Sequence, residues 1–149
     1  MKTLCMSLLV PLLAGCYCNT TLVFRNGTQS NVHVHGALHV SSSETVAGKQ
    51  VEIAPGKAKE VGGGSHGDLF VTTGTGQELL FTNIDVFVDP KYRKEGNYMF
   101  VGAGYIIFEV MLGTNNSLYA LMPGKKAVDP TVAQPSGYPK AAREVKERQ

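Results

Sequence analysis

The chain has 149 residues, enough for one domain with a real core and too few for two. Hydrophobic residues make up 43% and charged residues 17%, which is the balance of a folded globular protein and excludes a disordered one. A net charge of +2, with no basic run interleaved with aromatics, excludes a nucleic-acid binder.

In chain order, the first element is a targeting segment. Residues 1–15, MKTLCMSLLVPLLAG, carry one lysine, an apolar stretch and a small-residue end; this pattern predicts a secretory signal, too short to span a membrane stably. Leu13-Ala14-Gly15-Cys16 then resembles the lipobox of bacterial lipoproteins. The resemblance covers the signal and these four residues alone. It implies cleavage before Cys16, whose thiol would already carry a diacylglycerol, so that acyl chains such as palmitate hold the protein on a membrane. Tyr17, where aspartate would favour inner-membrane retention, points by the same resemblance to the outer membrane of the cell envelope. The alternative is an ordinary signal peptide and a secreted protein, in which Cys16 and Cys18 are plain cysteines. In a eukaryotic chain, Asn19-Thr20-Thr21, Asn26-Gly27-Thr28 and Asn115-Asn116-Ser117 would also fit the glycosylation pattern. Cys5 falls in the signal and Cys16 under the acyl group, so Cys18 has no internal disulfide partner.

Residues 16–19 are a lipidated tether, and a β-sandwich domain is expected over 20–123. Short apolar runs recur every ten residues or so between Gly, Asn, Pro and Ser clusters, the spacing of antiparallel strands. Strands are predicted at 20–25, 31–40, 49–54, 58–62, 68–73, 78–88, 97–101, 104–112 and 117–122. Turns are predicted at Asn26-Gly27, Pro55-Gly56, Gly62-Gly63-Gly64, Gly74-Thr75-Gly76, Gly113 with Asn115-Asn116, and Pro123-Gly124. Absence of three-and-four apolar spacing before the C-terminus argues against a helix-rich fold, and only residues 139–149 read as able to form about two helical turns, with Glu144 and Arg148 four apart. The predicted fold is all-β: a single antiparallel sandwich, immunoglobulin-like or similar, of seven to nine strands. Val32, Val34, Leu38 and Val40 share one parity and face the core, leaving His33 and His35 opposite. The run Tyr105–Leu112 is apolar on both faces and reads as a central strand in which Glu109 needs a partner or an exit to solvent.

Residues 124–149 read as a flexible, Pro-rich tail. They hold six basic residues (Lys125, Lys126, Lys140, Arg143, Lys146, Arg148) against three acidic ones (Asp129, Glu144, Glu147), so the tail is expected to be solvated or to dock acidic envelope polymers or lipid headgroups.

Chemistry concentrates in Asn31–Val40, which holds three of the four histidines. His33 and His35, two apart on a strand, project from one face about 6.5 to 7 Å apart and form half of a metal site. His39 shares their parity about 13 Å further along, within reach only if the strand bends at Gly36. His66, or Asp68 beside it, is a candidate third ligand, and such nitrogen and oxygen donors suit zinc or copper. The bland reading leaves these histidines as a solvated strand face. The same stretch resembles in part the first cupin motif. Gly27, five residues, His33-Val34-His35 and three residues match; His39 stands where the motif has glutamate, the last glycine is displaced to Gly48, and His66 follows Gly63 at a second-motif gap. That resemblance implies metal-dependent dioxygenase or isomerase chemistry in a barrel whose histidines point inward, opposite to the parity here. Gly74–Gln77 opens no helix and is a hairpin turn, not a phosphate cradle. Ser41–Glu44 reads as a polar loop, without a nucleophile elbow. Asp89–Lys94 reads as a connector or a binding loop with a basic, aromatic tip.

Together these readings predict a non-enzymatic envelope lipoprotein. It would bind or help assemble an envelope protein or polymer, and the alternative is a zinc or copper site on His33, His35, His39 and His66.

Overall fold

The structure is a computed structural model that describes residues 18–41, 44–47, 50–63, 66–97 and 104–145. Residues 1–15, where a signal is expected, and Cys16 lie outside the described residues. Twelve strands are present among those described: β1 (Cys18–Asn26), β2 (Val32–Ser41), β3 (Glu44–Ala47), β4 (Val51–Ile53), β5 (Ala58–Gly62), β6 (His66–Thr72), β7 (Glu78–Asp85), β8 (Arg93–Asn97), β9 (Gly104–Leu112), β10 (Ser117–Leu121), β11 (Lys140–Ala141) and β12 (Arg143–Glu144). They form a sandwich of two six-stranded sheets. One runs β11-β10-β9-β1-β5 with β8 beside the first half of β9, and the other runs β12-β7-β6-β2-β3 with β4 beside the start of β2. Every pairing is antiparallel except β1 with β9, which run parallel over their full lengths.

The period-2 pattern dictates the core. Leu22, Phe24, Phe108, Val110, Leu112 and Leu118 point inward from the first sheet; Val32, Val34, Leu69, Val71, Leu79 and Phe81 meet them from the second. Each buried aliphatic or aromatic side chain contributes about 1.5 to 3 kcal/mol by leaving water. The central position expected for Tyr105–Leu112 holds. Its outward Glu109 pairs with Arg25 of β1, whose Nε donates to Oε1 at 2.7 Å and whose Nη2 stands 2.6 Å from the same oxygen.

Four turns collect at the end of the sandwich opposite the start of β1. Asn26 organises that end. Its buried side-chain amide donates to Ser30 O (2.7 Å) and Ile53 O (2.9 Å), and its Oδ1 accepts from the Thr28 N–H (2.9 Å) and hydroxyl (2.7 Å). A side chain committed in this way at 0% exposure has no room for a glycan, so Asn26 drops out of the sequons. Asn116 Nδ2 ties the β9–β10 turn to Gln77 Oε1 in the β6–β7 turn at 3.1 Å.

The structure corrects the sequence reading in several places. Residues 124–145 are not a flexible tail. Tyr138 belongs to the core, packing edge-on to Phe108 at a centroid distance of 5.8 Å. The chain then pairs Lys140 and Ala141 with Leu118 and Ser117 in one sheet, and Arg143 and Glu144 with Leu80 and Leu79 in the other. One extended segment therefore clasps the two sheets along their open flank, which blunts both edges. On the opposite flank, the turn at Pro55-Gly56 carries the chain from β4 in one sheet to β5 in the other. The strand count exceeds nine because β11 and β12 come from this supposed tail, and β3 begins at Glu44, where a polar loop was expected. Between Asp89 and Lys94 there is no aromatic tip: Tyr92 is buried in a 3-10 turn, Pro90–Tyr92, and its hydroxyl donates to Ala133 O of the clasp. The strand expected at 97–101 starts earlier, as β8, and residues 98–101 lie outside the described residues.

Candidate functional site

His33, His35 and His66 occupy the outer face of the second sheet. Val32 and Val34 are buried while His33 is exposed and His35 half-buried, as the alternation requires. His35 lies against Phe70, directly opposite it on β6, with ring centroids 6.2 Å apart. Further along, His39 is in register with His66 of β6, and His66 with Asp85 of β7.

This register separates the expected ligands. His66 faces the position of His39, four residues beyond His35, which at the rise of a strand is about 13 Å away. It cannot complete a site with His33 and His35. Gly36 provides no bend either: the β2–β6 register runs through it unbroken. A Cβ there would stand 3.1 Å from Val61 O, so the glycine allows close approach of the two sheets. Asp68 is engaged elsewhere, accepting the Asn83 N–H at 3.0 Å where β7 carries an irregularity opposite it. Among the described residues, no three His, Cys, Asp or Glu side chains are grouped to hold a metal ion; the side chain of His39 lies outside the description. The outward histidines also depart from the cupin arrangement, which needs them inside a barrel.

A second place was not anticipated from sequence. Between the end of β7 and the clasp lies an open hollow of about 500 Å³, within the usual range for small-ligand sites. One wall is Asn83, Asp85, Phe87 and Asp89; the facing wall is Ser136, Tyr138 and Lys140. Phe87 is 51% exposed, the largest exposure of any big apolar side chain described. Its ring is held by the turn after β7, in which Asp85 Oδ1 accepts the Phe87 N–H at 2.8 Å, and by the Arg93 guanidinium, 5.9 Å from its centroid. Asp89 Oδ1 caps the 3-10 turn through the Lys91 N–H at 3.1 Å. Lys140 Nζ lies 5.2 Å from the centroid of the Tyr138 ring.

The Tyr138 hydroxyl is buried without a hydrogen-bond partner among the described residues, a state that costs about 1 to 3 kcal/mol. Burial, with the negative charge of Asp85 nearby, holds the phenol above its ordinary value, so at neutral pH it is a protonated donor. The only sequence signals for this hollow were the lone Phe87 at the end of an alternating strand and Tyr138 in a segment too polar to look like core.

No protein-family model matches the chain, and no curated protein matches it.

Proposed function

We propose that this protein is a lipid-anchored lipoprotein of the bacterial cell envelope, on the outer membrane where the host has one, and that its sandwich is a non-enzymatic binding or assembly module for another envelope component. What supports the reading is the spacing between the lipobox and the fold: β1 begins at Cys18, two residues after Cys16. An acyl anchor at Cys16 holds the start of β1 at the membrane surface, and the four-turn end, organised by Asn26, then faces away from it. More than one acyl chain is needed for such anchoring to be stable.

The test is metabolic labelling with a clickable palmitate analogue in a bacterial host, followed by fractionation. Wild type and Cys18→Ala are expected to carry label and sediment with membranes; Cys16→Ala is expected to lose the label. A mature chain with an unmodified N-terminus in the soluble fraction overturns the reading.

A second reading has one observation in its favour, the row formed by the register positions of His39, His66 and Asp85 across three adjacent strands. Directly opposed positions bring Cβ atoms to about 4.5 to 5.5 Å, close enough for two imidazoles to share a zinc or copper ion. Titration with either metal should then fail for His66→Ala and survive in His33→Ala/His35→Ala. The reverse pattern, or no binding by the wild type, removes it.

A further inference from the structure

We propose that the flank hollow between the end of β7 and the clasp binds an uncharged carbohydrate. The inference rests on the binding-module reading and names its ligand class.

The chemistry of the walls selects that class. Phe87 offers an exposed apolar ring beside hydrogen-bonding side chains, and a sugar ring has the matching pair of surfaces, a C–H face that packs on aromatics and an edge of hydroxyls that both donate and accept. Asn83 supplies an amide that donates and accepts, Asp85 and Asp89 supply acceptors, and Ser136 and Lys140 supply donors from the other wall. Tyr138 lies within the same wall, its ring forming part of the lining while its hydroxyl is buried beneath. Charge excludes the competing classes. An anion meets the carboxylates of Asp85 and Asp89, while a cation meets Lys140, and Arg93 already takes the cation position on the Phe87 ring. Asp89 is already paired with Lys91 at 3.7 Å and Arg93 with Glu95, so Asp85 and Lys140 balance across the hollow, which leaves a neutral polar ligand as the best complement. The setting is also stiff: the clasp is paired to both sheets on either side of Ala142, so the two walls are held apart and do not collapse on the space, which favours binding.

The experiment is a ¹H–¹⁵N NMR titration of the full-length protein in a zwitterionic, sugar-free detergent with cellotetraose, maltotetraose and chitotetraose. Spermidine and an oligogalacturonate serve as cationic and anionic probes. The expected result is saturable binding of at least one neutral oligosaccharide, with shifts centred on Asn83, Phe87, Ser136 and Lys140. Phe87→Ala should weaken it about tenfold, the scale of one lost aromatic contact, and Phe87→Tyr should restore it. Phe87 is half exposed, so an unchanged spectrum elsewhere verifies that the variant folds. The proposal is overturned if none of the three sugars binds at millimolar concentration, if binding ignores Phe87→Ala, or if only a charged probe fills the hollow. Sugar binding by a chain that carries no lipid would remove the anchor and leave this site; a lipidated chain that binds no sugar would do the opposite.

Discussion

Gln134 completes a strand ladder with its side chain. Its Oε1 accepts the Ala120 N–H at 2.9 Å and its Nε2 donates to Ala120 O at 3.2 Å, so one amide side chain replaces the neighbouring strand that β10 lacks there. Ala120 is 1% exposed, so solvent has little access to its backbone groups. Gln134→Ala is expected to lower stability by about 2 kcal/mol, read as a lower urea midpoint at unchanged m-value. Gln134→Glu, which cannot donate when ionised, should lose a similar amount. No change in either variant would detach this contact from the fold.

Asn26 should be the most sensitive polar position. Replacing it by alanine strips partners from Ser30 O, Ile53 O and the Thr28 N–H at once. A loss of about 3 kcal/mol or more is expected, with Asn26→Asp nearly as damaging because a carboxylate has no N–H to give. Thermal unfolding of both variants checks this, and a shift of only a degree or two would contradict it.

Arg25 and Glu109 bridge the parallel pair β1 and β9 with side chains only 15% and 19% exposed. Removing one partner strands a largely buried charge, whereas removing both does not. Arg25→Met and Glu109→Met should each destabilise more than the double variant. A double-mutant cycle should return a coupling of about 1 to 2 kcal/mol, and purely additive losses would mean that solvent screens the pair.

Tyr138→Phe keeps the ring against Phe108 and deletes the unpartnered hydroxyl. Stability at pH 7 should hold or rise by about 1 kcal/mol. The pH dependence follows from the raised phenol. The folded chain keeps a proton that the unfolded chain releases above its ordinary value of about 10, so stability is full below that pH and falls as pH rises beyond it. One such group costs at most about 1.4 kcal/mol per pH unit. Urea unfolding between pH 8 and pH 11 should show a shallower decline for Tyr138→Phe than for wild type. Parallel declines would mean that the hydroxyl ionises freely in the folded protein.

Alternation alone determined a good deal. Val32 and Val34 inside with His33 outside, the central place of Tyr105–Leu112, the need of Glu109 for a partner, and the hairpin at Gly74–Gln77 are all local consequences of a period of two and of turn chemistry. So was the all-β sandwich.

What only the tertiary structure decided depends on residues far apart in the chain. Register between strands placed His66 opposite His39 and away from His33 and His35, because a ligand set is decided by strand pairing that periodicity does not encode. The order of the segment after Gly124 is hidden from the sequence for a related reason. With four prolines from Pro123 to Pro139 and few apolar residues, it has no periodic face of its own. It is ordered by what it finds: Ala120 for Gln134, Phe108 for Tyr138, and two open sheet edges for residues 140–144. The flank hollow exists because that segment crosses from one sheet to the other, so its walls come from residues about fifty apart in sequence. No local pattern joins Phe87 to Tyr138; the closing of the sandwich does.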